Sequence, residues 1–316
     1  MRDTLAAPPA PTQASLRHLT EPELLDRPLV ERLLRAASEF ERAGGATRDR
    51  LQGRLLATLF YEPSTRTRFS FEAAMYRLGG QLLSAQSAAQ TSSAAKGESL
   101  EDTIRVVSQF ADAIVLRHPE IGSASRAARV ATVPVINAGD GAGHHPTQAL
   151  LDLYTIKKEL GRLDHLRVGL AGDLRHGRTA RSLAQLLAKF PGNELVLIAP
   201  RGLRLDGDAS RGFDPARIHE TEDLAGAIQG LDVLYQTRIQ AERFASKDEY
   251  ARYRDIYVVT PDLMRRLPDH AILMHPLPRV GEIDPRVDAD PRAAYFRQVR
   301  NGLWVRMAVL DWTMAA

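Results

Sequence analysis

The chain has 316 residues, 44% of them hydrophobic and 26% charged, with a formal net charge of +3. That is an ordinary globular composition, long enough for two domains. No cysteine is present, which excludes disulfides and thiolate chemistry. No run approaches the about 18 apolar residues that cross a bilayer, and the small, evenly spread charge offers nucleic acid no footprint.

Residues 1–16, with Ala6, Ala7, Pro8, Pro9, Ala10 and Pro11, read as a mobile tail without an export signal, so a cytoplasmic location is expected. A helical pattern covers 29–43 through Leu33, Leu34, Ala37 and Phe40. Leu55 to Phe60 is a short apolar run of buried parallel-strand length. Beyond a turn, Phe71, Ala74, Met75 and Leu78 fall at i, i+3, i+4 and i+7, and Gly79 with Gly80 ends that helix. A strand near 81–85 enters a small-residue stretch, 84–96, too polar to pack. A helix with Leu100, Ile104 and Val107 follows, then a strand at 113–116, a helix near 123–130 and a strand at 133–137.

The second half repeats the alternation. Leu150, Leu153, Ile156 and Leu160 mark a helix over 146–160, before a strand at 166–171, a helix over 178–190 and a strand at 195–198. A short helix near 223–228, strands at 231–235 and 271–274, and a long helix from about Pro291 complete the chain. The fold class is therefore α/β: two tandem doubly wound domains, each a parallel sheet flanked by helices, with ligands at the carboxyl ends of strands. The boundary falls near 140–150. On the last helix, Arg300 and Arg306 are read as solvent-facing.

Five clusters lie where strands end. Ser64, Thr65, Arg66 and Thr67 sit at a helix N-terminus, where free N–H groups, hydroxyls and a guanidinium fork favour phosphate. Side-chain capping by Ser64 or Thr65 is the plainer alternative. Arg117 follows the strand at 113–116. The stretch 137–148 supplies three glycines and then His145 and Gln148 on one side of a first helical turn, a pair able to polarise a carbonyl and bind an NH₂ group. His144 and His145 lack a third ligand at usable spacing, so no metal is expected. Pro276 and Pro278 around Leu277 stiffen the backbone and remove N–H donors, leaving carbonyls to accept from an amine. The stretch 172–179 matches a phosphate loop except that Arg178 stands where its lysine would be.

Taken together, the segments 60–80, 96–103 (KGESLEDT), 116–119 (LRHP), 137–154, 172–179 (GDLRHGRT), 237–240 (TRIQ) and 275–282 (HPLPRVGE) resemble the catalytic chain of the aspartate carbamoyltransferase family, in order and over 17–312. Ornithine-specific relatives carry a cysteine beside the histidine of the last segment, and this chain has none. The resemblance implies transfer of the carbamoyl group of carbamoyl phosphate to the α-amine of L-aspartate, an early step of pyrimidine biosynthesis, with no cofactor and no metal. It places the phosphate on Ser64, Thr65, Arg66 and Thr67, the carbonyl oxygen on Thr67, Arg117 and His145, and the carbamoyl NH₂ on Gln148 and Leu277 beside Pro278. It places the aspartate carboxylates on Arg178, Arg238 and Gln240, and brings Ser92 and Lys96 from a loop of the adjacent subunit. The implied catalytic set is Arg66, Thr67, Lys96, Arg117 and His145, with no general base, since the departing phosphate can take the proton.

The implied assembly is a homotrimer with shared active sites, which a regulatory chain or a dihydroorotase could join. The implied domains are 17–147 for carbamoyl phosphate, with the helix 291–316 packing back on it, and 148–290 for aspartate. Two other readings stay open: a catalytically silent carbamoyl-phosphate-binding paralogue or scaffold, and a carbamoyltransferase for another amine such as ornithine.

Overall fold

The computed structural model describes residues 16–44, 47–86, 97–205, 207–240, 244 and 246–314. Helix α1 (Arg27–Ala43) starts where Asp26 accepts the Leu29 N–H and stops at Gly44, whose φ of 65° suits a left-handed cap. There follow β1 (Leu55–Phe60), α2 (Thr65–Arg77), β2 (Gln81–Gln86), α3 (Leu100–Val107), β3 (Ala113–His118), α4 (Ser123–Val130) and β4 (Val135–Asp140). The four strands form a parallel sheet in the order β2-β1-β3-β4. Five of the six β1 residues are buried, as a strand covered on both faces requires. Leu19 lines the β4 edge, its N–H donating to the Val135 carbonyl and its carbonyl accepting from Asn137 (both 2.9 Å).

Helix α5 (Pro146–Leu160) leads into the second half: β5 (Arg167–Ala171), α6 (Arg178–Leu187), β6 (Glu194–Ile198), β7 (Ile218–Thr221), α7 (Leu224–Ala227), β8 (Val233–Gln236), α8 (Lys247–Ala251), α9 (Pro261–Met264) and β9 (Ile272–Met274). Its sheet is parallel in the order β7-β6-β5-β8-β9. The edge strand β7 was not anticipated: its residues are partly or fully exposed, so the sequence lacks an apolar run there.

The last helix, α10 (Tyr295–Met314), begins later than the expected Pro291. The intervening backbone docks on β9 instead: the Leu273 N–H donates to the Arg292 carbonyl and the Ala294 N–H to the Leu273 carbonyl (both 2.8 Å). Helix α10 packs against α1, α2 and α5. One apolar cluster accordingly runs from Leu33 and Phe71 through Leu150 and Leu183 to Val305 and Leu310, joining both sheets. Arg300 is exposed, but Arg306 is 4% exposed, correcting its expected place in solvent. Apolar neighbours surround that part of the helix, so every face is covered. Among the described residues no helix is long and apolar enough to cross a membrane.

Candidate active site

The carboxyl ends of β1, β3 and β4 meet those of β5, β8 and β9 across a cavity of about 630 Å³. Ser64, Thr65, Arg66, Thr67, Arg117, His145 and Gln148 line it from the first half of the chain, up to α5. Arg178, Arg238, Gln240, Leu277 and Pro278 line it from the second. Every expected residue within the described part is thus in one place; Ser92 and Lys96 lie outside the described residues.

Three helices open onto this space. The residues at their starts, Ser64 for α2, His145 for α5 and Gly177 for α6, make no side-chain capping bond. Asp26 of α1 and Ser99 of α3, by contrast, do. The Ser64 hydroxyl therefore does not cap its helix, and the first-turn N–H groups of α2 remain for an anion.

Five arginines, Arg66, Arg117, Arg178, Arg238 and Arg306, line the cavity against the single carboxylate of Glu62, counted among the described residues. Glu62 sits 3.5 Å from Arg117 and 3.7 Å from Arg178. Arg117 also donates to the Ala138 carbonyl (3.2 Å) and Arg178 to the Gly141 carbonyl (2.8 Å). Burial, followed by the Arg178 charge, pushes Arg117 down to about 9, with Glu62 opposing. Loss of hydration and the facing Arg238 lower Arg66 as well. A site so crowded with cations gains by taking in anions.

Gly139 permits the crowding. Its φ is +115°, and a Cβ there would stand 2.9 Å from Arg178 Cζ and 3.1 Å from Arg117 Nη1. His145 is buried, and burial together with the charges of Arg178, Arg306 and Arg117 holds its pKa well below the usual range. The ring is therefore neutral, able to donate one hydrogen bond to a carbonyl oxygen without adding a further charge.

Leu277 is presented by a buried brace. The Leu277 N–H donates to His275 Nδ1 (2.8 Å), and the other ring nitrogen, Nε2–H, donates to Glu282 (2.8 Å). Glu282 accepts in addition from the Val280 and Gly281 N–H groups (3.0 Å each). Leu277 has φ 52°, a left-handed conformation that costs a non-glycine residue about 1–2 kcal/mol. Burial works against ionisation of Glu282, yet His275 and the backbone donors bring its pKa down to about 2.

Such an arrangement can seat a phosphate at α2, polarise a carbonyl with Arg117 and neutral His145, and hold a dicarboxylate on the opposite wall. The family model for the aspartate/ornithine carbamoyltransferase carbamoyl-P binding domain matches residues 17–158, and that for the Asp/Orn binding domain matches 164–313. The chain belongs to the aspartate/ornithine carbamoyltransferase family.

Within this family it is 51% identical to the chloroplastic aspartate carbamoyltransferase of Oryza sativa, over 94% of this chain and 85% of that one. It is 55% identical to the aspartate carbamoyltransferase catalytic subunit of Thermococcus gammatolerans, over 83% and 85%. The Trypanosoma cruzi aspartate transcarbamoylase solved with carbamoyl phosphate and aspartate superimposes with a TM-score of 0.89 at 40% identity, covering 97% of this chain and 100% of that one.

Glu62, Gln298 and Arg306 also line the site and were not anticipated. Arg306 lies over the Phe71 ring, 5.1 Å from its centroid, and burial pushes it down to about 10, with Asp152 offsetting part of the effect. One signal pointed to it: Arg306 is the lone charge in the apolar run 303–310, which marks a helix buried on all sides. Glu62 and Gln298 carry no comparable signature.

Proposed function

We propose that this chain transfers the carbamoyl group of carbamoyl phosphate to the α-amine of L-aspartate, giving N-carbamoyl-L-aspartate and phosphate. The observation carrying this reading is the meeting of an uncapped α2 N-terminus with arginines from both sheets in one cavity. In this reading the phosphate rests on Ser64, Thr65, Arg66 and Thr67, while Thr67, Arg117 and His145 face the carbonyl oxygen. Gln148 and the Leu277 carbonyl, beside Pro278, take the NH₂ group, and Arg178, Arg238 and Gln240 hold the carboxylates.

The neutral amine attacks the carbonyl carbon, the oxygen gains charge against its donors, and the C–O bond to phosphate breaks. The amine proton leaves with the phosphate dianion. The protein's work is proximity and electrostatic preorganisation, and removing one oxyanion donor costs about 10²–10³ in kcat. Ornithine would bring an ammonium to a wall of arginines, which disfavours it.

The proposal extends to domains and assembly: 17–147 with the last helix as the carbamoyl-phosphate domain, 148–290 as the aspartate domain, and a homotrimer in which Lys96 completes a neighbour's site. Exposed Phe69 and Tyr76 on α2 and Leu83 on edge strand β2 support a subunit contact there. A colorimetric assay for carbamoylated product, with L-aspartate and L-ornithine in parallel, tests the reaction; product from ornithine alone would reject the arginine pocket. Mixing Lys96→Ala with His145→Ala protein tests sharing, since subunit exchange should restore activity through hybrid sites. No recovery from any mixture would reject it.

A further inference from the structure

Asp152 is fully buried on α5, one turn beyond Gln148. Its Oδ1 accepts from Gln148 Nε2 (2.9 Å) and Gln298 Nε2 (2.7 Å), and its Oδ2 accepts from the Tyr235 hydroxyl (2.8 Å). Three donors thus reach it from α5, α10 and β8. A buried carboxylate is costly, and an apolar residue at this junction would pack more cheaply. What the carboxylate provides is direction. Burial pushes its pKa up to about 7, and the proton it can take belongs on Oδ2 beside the Tyr235 hydroxyl. Oδ1 faces two amide NH₂ groups and accepts in either state, so the NH₂ end of the Gln148 amide must face it. Since Gln148 also lines the cavity, the end left for a ligand is its carbonyl oxygen.

We propose that Asp152 is a positioning residue that fixes Gln148 as an acceptor and thereby makes the site select a ligand bearing –NH₂ over one bearing –CH₃. The same carboxylate steadies the second acceptor. Gln298, held through its Nε2, accepts the His275 N–H through its Oε1 (3.0 Å), and His275 in turn receives the Leu277 N–H. Gln148 Oε1 and the Leu277 carbonyl then meet the two N–H bonds of one amide group. This inference rests on the carbamoyl-phosphate reading and adds the origin of its selectivity.

The test uses the full chain, wild type and Asp152→Leu, with carbamoyl phosphate as substrate and acetyl phosphate and inorganic phosphate as competitive probes. A leucine of similar size offers the two NH₂ groups that meet Oδ1 no acceptor, so the Gln148 amide is no longer oriented. The expected result is a rise of about tenfold in carbamoyl phosphate KM with less than twofold change for acetyl phosphate and phosphate. In a Gln148→Leu background the same substitution should add nothing. Equal weakening of all three ligands, or no change in any, overturns the proposal.

Should Asp152→Leu not fold, Tyr235→Phe removes one donor fixing the carboxyl group and should erode selectivity about threefold in the same sense; an unselective effect again overturns it. Failure of the parent reading would show in the wild type itself, as no carbamoyl transfer and no preference for carbamoyl phosphate over acetyl phosphate.

Discussion

Replacing Arg306 by methionine should make the protein more stable and less active. The guanidinium is 4% exposed and its pKa is pushed down to about 10. Against an ordinary value above 12, at about 1.4 kcal/mol per pH unit, keeping the charge costs the fold about 3 kcal/mol at neutral pH. The lost stack on Phe71 is worth about 1–2 kcal/mol, part of which a methionine sulfur over the ring recovers. The balance is a gain of about 2 kcal/mol, or about 4 °C in Tm. Activity should fall, by about 10²-fold in kcat/KM, because a positive charge leaves a cavity that receives a dianion. Thermal unfolding followed by fluorescence, beside steady-state kinetics, reads both. A fall in Tm of more than 2 °C would refute the desolvation argument and show that Arg306 holds the core together. Unchanged kinetics would refute its part in the site.

Gly139→Ala should lower kcat/KM by about 10²-fold and stability by about 1–2 kcal/mol, since its Cβ would displace both Arg178 and Arg117 from a φ of +115°; full activity in steady-state assays would contradict this. The pKa of Glu282 lies near 2 when folded and near 4.3 when unfolded, so its stabilisation is present above pH 4.3 and is lost as pH falls toward 2. Glu282→Gln should therefore lower Tm at pH 7, by the equivalent of about 3 kcal/mol, and the gap to wild type should close between pH 4 and 2; a constant gap would reject the pair as its source. Arg238→Ala should raise aspartate KM at least tenfold while carbamoyl phosphate KM stays within about twofold, and equal effects in initial-rate measurements would mean the two ligands are placed wrongly.

Local order was legible because its causes are covalent neighbours. The apolar run 55–60, the hydroxyl-and-arginine turn at 64–67 and the glycine turns before His145 and Arg178 act over ten residues or fewer, and each emerged as a strand end, a helix start or a cavity wall. What failed did so where local pattern and long-range contact disagree. β7 is a polar edge that becomes a strand only because β6 pairs with it. The residues after Pro291 could have begun a helix, but β9 takes their backbone groups first.

Arg306 illustrates the difference most plainly: a charged residue reads as surface until α1, α2 and α5 close around its helix. Asp152 is decided in the same way, by partners 83 and 146 residues away along the chain. The sequence alone determined which residues stand at strand ends and helix starts, since those depend on apolar spacing and turn chemistry. Only the tertiary structure decided which ends face one another and which charges lose their water, because burial is set by distant elements that no local window contains.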